Sequence, residues 1–225
     1  PPGARRPRLL LAALALLALV SAIVSARAPL YTPDHPARVN LLHVTDLDAG
    51  AAHHLVDAPA GLPPELADLA AWKPLAALPW TARRLPARPA LDVDSPAPLA
   101  LPALDVEADQ PLPGGARRLA LRLRARPGAL LAHLVLPTEV LALTVEGQRL
   151  ALGDLRRGPL DSRVITIYGP PAAGVRLDVE LRGAAPWTIA DALPGLPPRH
   201  LDPRPAHAVP YQWGDLTVAH RRVTP

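Results

Sequence analysis

Apolar and charged residues alternate in two stretches of this sequence, and this feature restricts the possible fold of the chain more than any other. Over residues 175–182, valine or leucine at every second position is separated by arginine, aspartate or glutamate. Over residues 118–124, leucines stand among arginines with the same period of two. Because successive side chains of a strand point to opposite faces, both stretches predict β-strands with one buried face and one face in water.

Shorter segments rich in valine, isoleucine and leucine predict further strands between turn residues. They cover residues 38–44, 130–136, 140–145, 148–152, 163–168, 187–190 and 216–218. Asp46–Gly50 supplies turn residues, so residues 51–56 are expected to return as the partner strand of a hairpin, and residues 64–72 predict one short helix. Many short strands without a long amphipathic helix predict a mainly β fold, an antiparallel β-sandwich.

An uncharged run over residues 9–26 precedes the predicted strands. Its eighteen residues, at about 1.5 Å each, reach roughly 27 Å, enough to cross the hydrocarbon core of a bilayer. More arginines flank its start than its end, which places the N-terminal flank in the cytoplasm. We therefore expect one N-terminal transmembrane helix in a bacterial inner membrane, with membrane lipid as a partner and the rest facing the periplasm or cell exterior.

The same run also has features of a cleaved signal peptide. Its basic flank precedes an apolar stretch, and Ala26-Arg27-Ala28 matches the small-residue pattern of a cleavage site. Under either interpretation the remaining residues lie outside the cytoplasm. Residue 1 is proline rather than methionine, so we expect the chain to be a fragment or a processed product.

The composition excludes several kinds of site. The chain has no cysteine, which excludes disulfides, thiolate metal sites and cysteine nucleophiles. Lys73 is the sole lysine among 24 basic residues, a bias that indicates a genome rich in G and C. The net charge of +4 then reflects arginine usage, and the scarcity of aromatic residues to interleave with the cations predicts no nucleic-acid partner.

Proline governs the predicted domain organisation. The chain has 31 prolines and 14 glycines, which predict many turns and broken helices. Eight prolines fall within residues 79–113, a segment expected to run extended over a surface or to link two units. The predicted units are a cytoplasmic flank and transmembrane helix over 1–28, a hairpin and short helix packing on the β domain over 29–78, the Pro-rich extended segment over 79–113, and the antiparallel β-sandwich over 114–225.

One cluster resembles a set of metal ligands. It consists of His53, His54 and Asp57. Adjacent residues of a strand point to opposite faces, so one segment does not readily aim both histidines at one ion, and a solvated hairpin tip is the preferred interpretation.

Other histidines and carboxylates lack the pattern of a zinc site. They are His200-Leu-Asp202 and Asp34-His35, with His207, Asp215 and His220 downstream. A hydrolytic zinc site needs three protein ligands and a base, and no glutamate follows the His-x-Asp pair. We predict capped or solvated loops.

Five arginines fall within ten residues. They are Arg117, Arg118, Arg122, Arg124 and Arg126. Three of them alternate with leucines, so we predict a solvated strand face. Attraction of this face to anionic lipid headgroups is the alternative.

Nucleophilic and phosphate-binding motifs are also missing. The serines are Ser21, Ser25, Ser95 and Ser162. None stands in a G-x-S-x-G turn, and Gly114-Gly115 lacks the Lys-Ser/Thr of a phosphate loop. We predict no catalytic, cofactor-binding or metal-ligating residue in this chain.

Three segments carry a resemblance to a known family. The first is Tyr31-Thr-Pro-Asp-His-Pro-Ala-Arg-Val-Asn-Leu-Leu-His-Val-Thr-Asp46, and the second is Arg163-Val-Ile-Thr-Ile-Tyr-Gly-Pro-Pro-Ala-Ala-Gly-Val-Arg-Leu177. The third comprises Gly195-Leu-Pro197, Arg204-Pro-Ala-His-Ala-Val-Pro210, Trp213-Gly-Asp-Leu-Thr-Val218 and Arg221-Arg-Val223. Together they resemble the C-terminal region of bacterial membrane-bound family M28 zinc peptidases, relatives of the endoplasmic reticulum metallopeptidase. One departure is Asp191-Ala-Leu-Pro-Gly195, where the family would have a Ser-Tyr-Gly-type turn.

The resemblance implies an N-terminal catalytic domain, several membrane helices and a C-terminal β-rich domain. This chain would begin at the last helix, with the upstream catalytic domain and membrane helices as its partners. The family's zinc site uses His, Asp and Glu ligands beside a Glu-Glu pair. No such pair occurs here, so zinc is implied for the parent aminopeptidase and no cofactor for this fragment.

Two other functions remain open on sequence grounds. The chain is alternatively a membrane-anchored extracytoplasmic binding or structural β-sandwich module unrelated to a peptidase. A secreted hydrolase using the histidines is a further candidate, which would require stoichiometric zinc.

Overall fold

The computed structural model describes residues 14–23, 34–59, 61–63, 66–67, 73–74, 78–81, 86–89, 101–157, 162–197 and 204–225. This part of the chain is mainly β. Its strands are β1 (Ala37–Arg38), β2 (Asn40–Asp46), β3 (Ala51–Asp57), β4 (Lys73–Pro74), β5 (Pro86–Pro89), β6 (Ala103–Pro111), β7 (Ala116–Arg124), β8 (Leu131–Leu136), β9 (Val140–Val145), β10 (Gln148–Leu150), β11 (Arg156–Arg157), β12 (Arg163–Tyr168), β13 (Val175–Arg182), β14 (Trp187–Pro194), β15 (Ala208–Val209) and β16 (Leu216–Val223).

A five-stranded antiparallel sheet contains both stretches of strict alternation. Its strand order is β10-β9-β13-β7-β6. In β7 and β13 the leucines and valines of the pattern are buried, and the charged residues between them face outward, which confirms the prediction of half-buried strands. β13 lies between β7 and β9, so the strand with the cleanest alternation is at the centre of this sheet.

A nine-stranded sheet contains most of the remaining strands. Its order is β11-β12-β8-β14-β16-β2-β3-β5-β4. Every pair in it is antiparallel except β16 with β2, which runs parallel and interrupts the predicted antiparallel pattern. Strand β1 forms a separate parallel pair with β15.

The two large sheets share one hydrophobic core. Leu121 and Leu177 enter it from the five-stranded sheet, and Leu134, Trp187 and Ile189 enter it from the nine-stranded sheet. All five are inaccessible to solvent. Burial of each such side chain contributes roughly 1.5–3 kcal/mol, so this interlayer core dominates the packing energy. Two antiparallel layers with alternating inward residues are consistent with a β-sandwich.

Most predicted strands are confirmed, and two are longer than predicted. The hairpin between β2 and β3 forms as expected around the turn after Asp46. Strand β14 continues to Pro194 and β16 continues to Val223, beyond the predicted ends. Of the predicted helix at 64–72, only residues 66–67 lie within the described part, and they are helical.

The Pro-rich segment contributes strands to both sheets. Within it, β5 pairs with β3 and β4, and β6 pairs along its length with β7. A β6–β7 hairpin therefore crosses the predicted boundary at residue 113. Pro111, the last residue of β6, is compatible with this strand because β6 is at the edge of the sheet, where one row of N–H groups needs no partner.

A short helix over residues 14–23 is the described part of the apolar run. Its side chains are exposed, with Leu16 and Leu17 at 62% and 63% of full exposure. Within the described residues, no helix has the length and apolar character needed to span a bilayer. Residues 9–13 and 24–26 of the predicted transmembrane helix lie outside the described residues.

Glu146 and Gly147 form the two-residue turn between β9 and β10. Both residues have positive φ, 48° and 80°, and Val145 pairs with Gln148 across the two-residue loop. Left-handed conformations at both central positions match the right-handed twist of a hairpin. The turn thus fixes the register of β10.

Gly174 is at a tight approach between strands, and we predict that Gly174→Ala is more destabilising than Gly183→Ala. Both residues have positive φ, 82° and 76°, so alanine at either costs about 1–2 kcal/mol. A Cβ at Gly174 would also lie 2.9 Å from the carbonyl oxygen of Leu123, whereas one at Gly183 meets nothing within 4 Å. Overpacking adds roughly 1–3 kcal/mol at Gly174. Equal losses of unfolding free energy in denaturant titrations would contradict the close approach.

Candidate functional site

The outer face of the nine-stranded sheet carries its own apolar cluster. Leu131, Val135 and Val218 lie on this face, opposite the shared core, and Leu78 and Trp80 of segment 78–81 pack onto them. Trp80 is only 7% exposed although it sits outside the sandwich. The segment therefore covers part of an otherwise open sheet face.

Two histidines lie in one cross-strand row beneath Trp80. His133 of β8 and His220 of β16 both pair with Ala190 of β14, so their side chains point to the same face. The Trp80 ring stacks on His133 at 5.8 Å and meets His220 edge to face at 5.1 Å. His133 also shares a hydrogen bond of 3.0 Å with the Thr166 hydroxyl. The Trp80 ring therefore covers both imidazole rings.

A cleft of about 490 Å³ opens beside this row. Its volume falls within the range of small-molecule sites. The residues that line it are Val44, Asp46, Asp48, Ala49, His53, Leu78, Pro79, Thr188, His220 and Arg222. An apolar floor with histidine, carboxylate and guanidinium groups at its edge is suited to binding a ligand through hydrogen bonds.

Much of the polar rim is ordered by its own hydrogen bonds. Asp46 accepts bonds at Oδ1 from the backbone N–H groups of Asp48 and Ala49, at 3.0 and 3.1 Å. Asp48 accepts a bond at Oδ2 from the N–H of Arg222 at 2.7 Å. These bonds fix the β2–β3 turn against β16, which keeps the mouth of the cleft in one shape.

Burial lowers the pKa of His220 below its ordinary value of 6.5. The negative charges of Asp46 and Asp48 oppose this shift without reversing it. Since the pKa is depressed, His220 is neutral at pH 7 and offers one donor and one acceptor nitrogen.

The predicted cluster of His53, His54 and Asp57 does not assemble. His53 lines the cleft, while His54 lies on the other face of β3 with its ring 5.3 Å from that of His43. Asp57 accepts a 2.8 Å hydrogen bond from the Tyr211 hydroxyl. The argument from alternating strand faces is therefore confirmed.

These side chains do not fit a zinc site. Within the described residues, no group of three or more His, Asp or Glu side chains is placed to hold a metal ion. The candidates point to different faces or are bonded elsewhere, as the Asp57–Tyr211 contact shows.

The other sequence candidates are dispersed. His200 and Asp202 lie outside the described residues, as do Ser25 and Ser95. Asp34 and His35 are exposed, Ser21 is on the short helix, Ser162 precedes β12, His207 precedes β15, and Gly114-Gly115 forms a 3-10 turn. Of the histidine candidates within the described residues, His53 and His220 both line the cleft.

Asp215 belongs to a junction between the two ends of the chain. This terminal junction consists of Asn40, Leu41, Arg204, Tyr211 and Asp215. Asp215 accepts bonds from the Leu41 N–H at 2.8 Å and from the Arg204 guanidinium at 2.8 and 3.2 Å. The Asn40 side chain bonds the backbone of Tyr211 in both directions, at 2.8 and 2.9 Å. These bonds lock β2 beside β16.

The arginine face of β7 is matched by carboxylates. The ion pairs are Arg117–Asp109, Arg118–Glu180, Arg122–Glu107 and Arg124–Asp105. The arginines of this face are partly or largely exposed, in line with the predicted solvated strand face. Pairing also lowers the pKa of Asp109 and Glu107 through hydrogen bonds from their arginine partners. These carboxylates offset part of the positive charge that the alternative, attraction to anionic lipid headgroups, would use.

Arg126 departs from the solvated face to which its cluster was assigned. Its side chain is 3% exposed, and its Nε donates a 2.7 Å hydrogen bond to the fully buried Asp191. The Arg126 N–H donates to the other oxygen of Asp191 at 2.6 Å, and the guanidinium reaches the Thr217 carbonyl oxygen at 3.0 Å. Burial raises the pKa of Asp191 even though the bonds from Arg126 lower it.

The sequence did contain a signal for this buried pair. Asp191 is in phase with Trp187 and Ile189, at the next inward position of β14, where an apolar residue is expected. A carboxylate at such a position requires a buried cation or donor. The pair links the end of β7 in one sheet to β14 and β16 in the other.

Comparison with known proteins identifies no relative from which a function for this cleft can be inferred. No family model and no curated protein match the chain. Among solved structures, the crystal structure of BslA, described as a bacterial hydrophobin, aligns with a TM-score of 0.30 and 14% sequence identity. The alignment covers 57% of this chain and 95% of BslA. A TM-score this low leaves fold and function to be argued from the chain's own residues.

We predict that the free energy of unfolding falls as the pH drops from above 6.5 through the lowered pKa of His220. The unfolded chain takes up the proton at a higher pH than the folded one, so protonation favours unfolding. His220→Gln should flatten this slope, as measured by denaturant titrations at stepped pH. Thr188→Ala, a change in the same cleft without a titrating group, should keep it. An unchanged slope in His220→Gln would refute the assignment.

We predict that Asp191→Asn costs about 3–5 kcal/mol of stability, because it leaves the Arg126 cation buried without its counter-charge. The exposed pair Arg118–Glu180 provides the control, and Glu180→Gln should cost about 0–1 kcal/mol. The double change Arg126→Met with Asp191→Leu should recover most of the loss. Equal effects at the two pairs in equilibrium unfolding would show that burial does not set their strength.

Proposed function

We propose that this chain is the last membrane helix and the non-catalytic extracytoplasmic domain of a membrane-bound M28-like zinc aminopeptidase. The catalytic domain, its zinc and the other membrane helices would belong to residues upstream of Pro1. The domain would pack beside that catalytic domain and shape access to its substrate.

The observation that carries the proposal is the terminal junction. It joins the first and third segments of the resemblance, which form the adjacent strands β2 and β16. The side chains of Asn40, Arg204 and Asp215 are all engaged there in bonds within the domain. Side chains that hold a strand interface together, rather than reactive groups, are what an accessory domain requires.

The apolar run supports an anchor in the membrane. Its described part is a helix with large apolar side chains exposed around it, including Leu14, Val20 and Ile23 at 57%, 48% and 44%. A helix that is apolar on every side is stable when protein or lipid surrounds it. Shortly after the run, the chain enters β2, a central strand of the sheet, so the domain would be held close to the bilayer.

The binding module is the second candidate function, and the cleft favours it. Its volume of about 490 Å³ and its ordered polar rim are features of a ligand site. Such a module would use the same anchor but would need no catalytic partner.

We predict that the gene upstream of the codon for Pro1 continues in frame and encodes a His-x-Asp motif, a Glu-Glu pair and further apolar spans. The peptidase proposal requires these residues because zinc and a general base must come from outside this chain. Sequencing the upstream region tests this directly. A start codon within a few residues of Pro1 would remove the catalytic half and leave the binding module.

A biochemical control separates the accessory role from the hydrolase alternative. The purified chain, assayed on aminopeptidase substrates with added zinc, should show no activity and should bind no stoichiometric zinc. Zinc-dependent cleavage by this chain alone would overturn the non-catalytic role.

A further inference from the structure

Two aromatic side chains lie stacked and exposed at one end of the sandwich. Tyr168 and Trp213 are 64% and 50% exposed, with ring centroids 5.6 Å apart and an interplanar angle of 27°. By contrast, Trp80 and Trp187 are at most 7% exposed. Val209 adds apolar surface nearby in the chain, at 39% exposure. Large apolar groups that stay in water this way commonly mark a contact surface.

The strand register shows which end this is. Tyr168 is the last residue of β12, and its neighbour Gly169 donates a hydrogen bond to the Leu130 carbonyl just before β8. At the same end β14 finishes at Pro194, and its pairing with Leu216 places the start of β16 there. Since β2 runs parallel to β16, it begins at this end too. We call this the aromatic end.

The aromatic end is therefore where the chain arrives from the apolar run. Asn40 opens β2 and bonds the backbone of Tyr211, two residues before Trp213. Just before it, Arg38 is exposed in β1, where it pairs with Val209 of β15. With the apolar run anchored in a bilayer, the chain would enter its first described strands, β1 and β2, at this end.

We propose that the aromatic end docks on the lipid headgroup region, with Tyr168 and Trp213 as interfacial anchors. The inference rests on the membrane anchor of the proposed function and adds the orientation of the domain to it. Tyrosine and tryptophan have an apolar body and a polar tip, which suits the boundary between acyl chains and water. Arg38, exposed in β1 just before β2 begins at this end, offers a cation to the phosphates of the headgroups. The bilayer is chosen over a protein partner because β1 and β2, the first described strands after the apolar run, begin at this end.

The test uses the full chain reconstituted into vesicles of phosphatidylcholine and phosphatidylglycerol. Part of the phosphatidylcholine carries bromine on acyl carbons near the headgroup, which quenches tryptophan at that depth. Brominated vesicles should lower the tryptophan emission of the wild-type chain relative to unbrominated ones. Most of that loss should disappear in Trp213→Phe and persist in Trp80→Phe, which removes a covered indole.

Two variants that each introduce a carboxylate, one at the aromatic end and one away from it, test the position of the contact. Tyr168→Asp should reduce quenching of Trp213, because a carboxylate opposes entry into the interface. Leu141→Asp changes a residue of similar exposure, 48%, on β9 of the five-stranded sheet and should leave quenching unchanged. Circular dichroism of both variants checks that each remains folded.

Flotation of the vesicles distinguishes the two ways of failing. If the chain floats with the vesicles but Trp213 is quenched no more than in unbrominated lipid, the anchor stands and the docking orientation is overturned. If the chain does not float, the membrane anchor fails and the docking falls with it. A Trp213 that is shielded only when the upstream domain is present would assign this end to a protein contact instead.

Discussion

The parallel pairing of β2 with β16 holds the architecture together, because it closes the nine-stranded sheet between its first and last segments. On one side of this join lie β3, β5 and β4, and on the other lie β14, β8, β12 and β11. The Asp215 carboxylate accepts hydrogen bonds from the Leu41 N–H and the Arg204 guanidinium. It thereby ties together two parallel strands that no tight turn connects. Without that join the sheet would divide into two pieces.

The nine-stranded sheet buries apolar residues on both faces, and this determines where polar chemistry can occur. Its inner face meets the five-stranded sheet, and its outer face is covered in part by Leu78 and Trp80. Polar groups lie in two kinds of place on this sheet. At the cleft beside His220, the outer face is not covered by Leu78 and Trp80. In the interior, the buried Asp191 is paired with Arg126. A buried ion pair at such a point favours one alignment of the two layers over neighbouring ones, because a shifted register would leave a charge unpaired.

The sequence predicted the strands whose pattern depends on neighbouring residues, and it did not predict the features that depend on residues far away in the chain. β7 and β13 were predictable because each residue's face follows from its neighbours. β6 was not, since it lies within the Pro-rich segment 79–113 and its exposed acids resemble a linker until the arginines of β7 are placed opposite them. The same holds for the site: His53 and His220 are far apart along the chain, and only the β16–β2–β3 order brings them to one cleft. Arg126 was grouped with its exposed neighbours because its partner Asp191 lies 65 positions away.

The terminal junction also determines when this domain can fold. Leu41 and Asp215 are separated by 174 positions. Strand β2 therefore cannot pair with β16 until most of this sequence has been synthesised. Contacts of such long range make loop closure slow and leave strand edges open meanwhile. During synthesis from the N-terminus, the edge of β2 that will pair with β16 therefore stays open until the last described strand has been made.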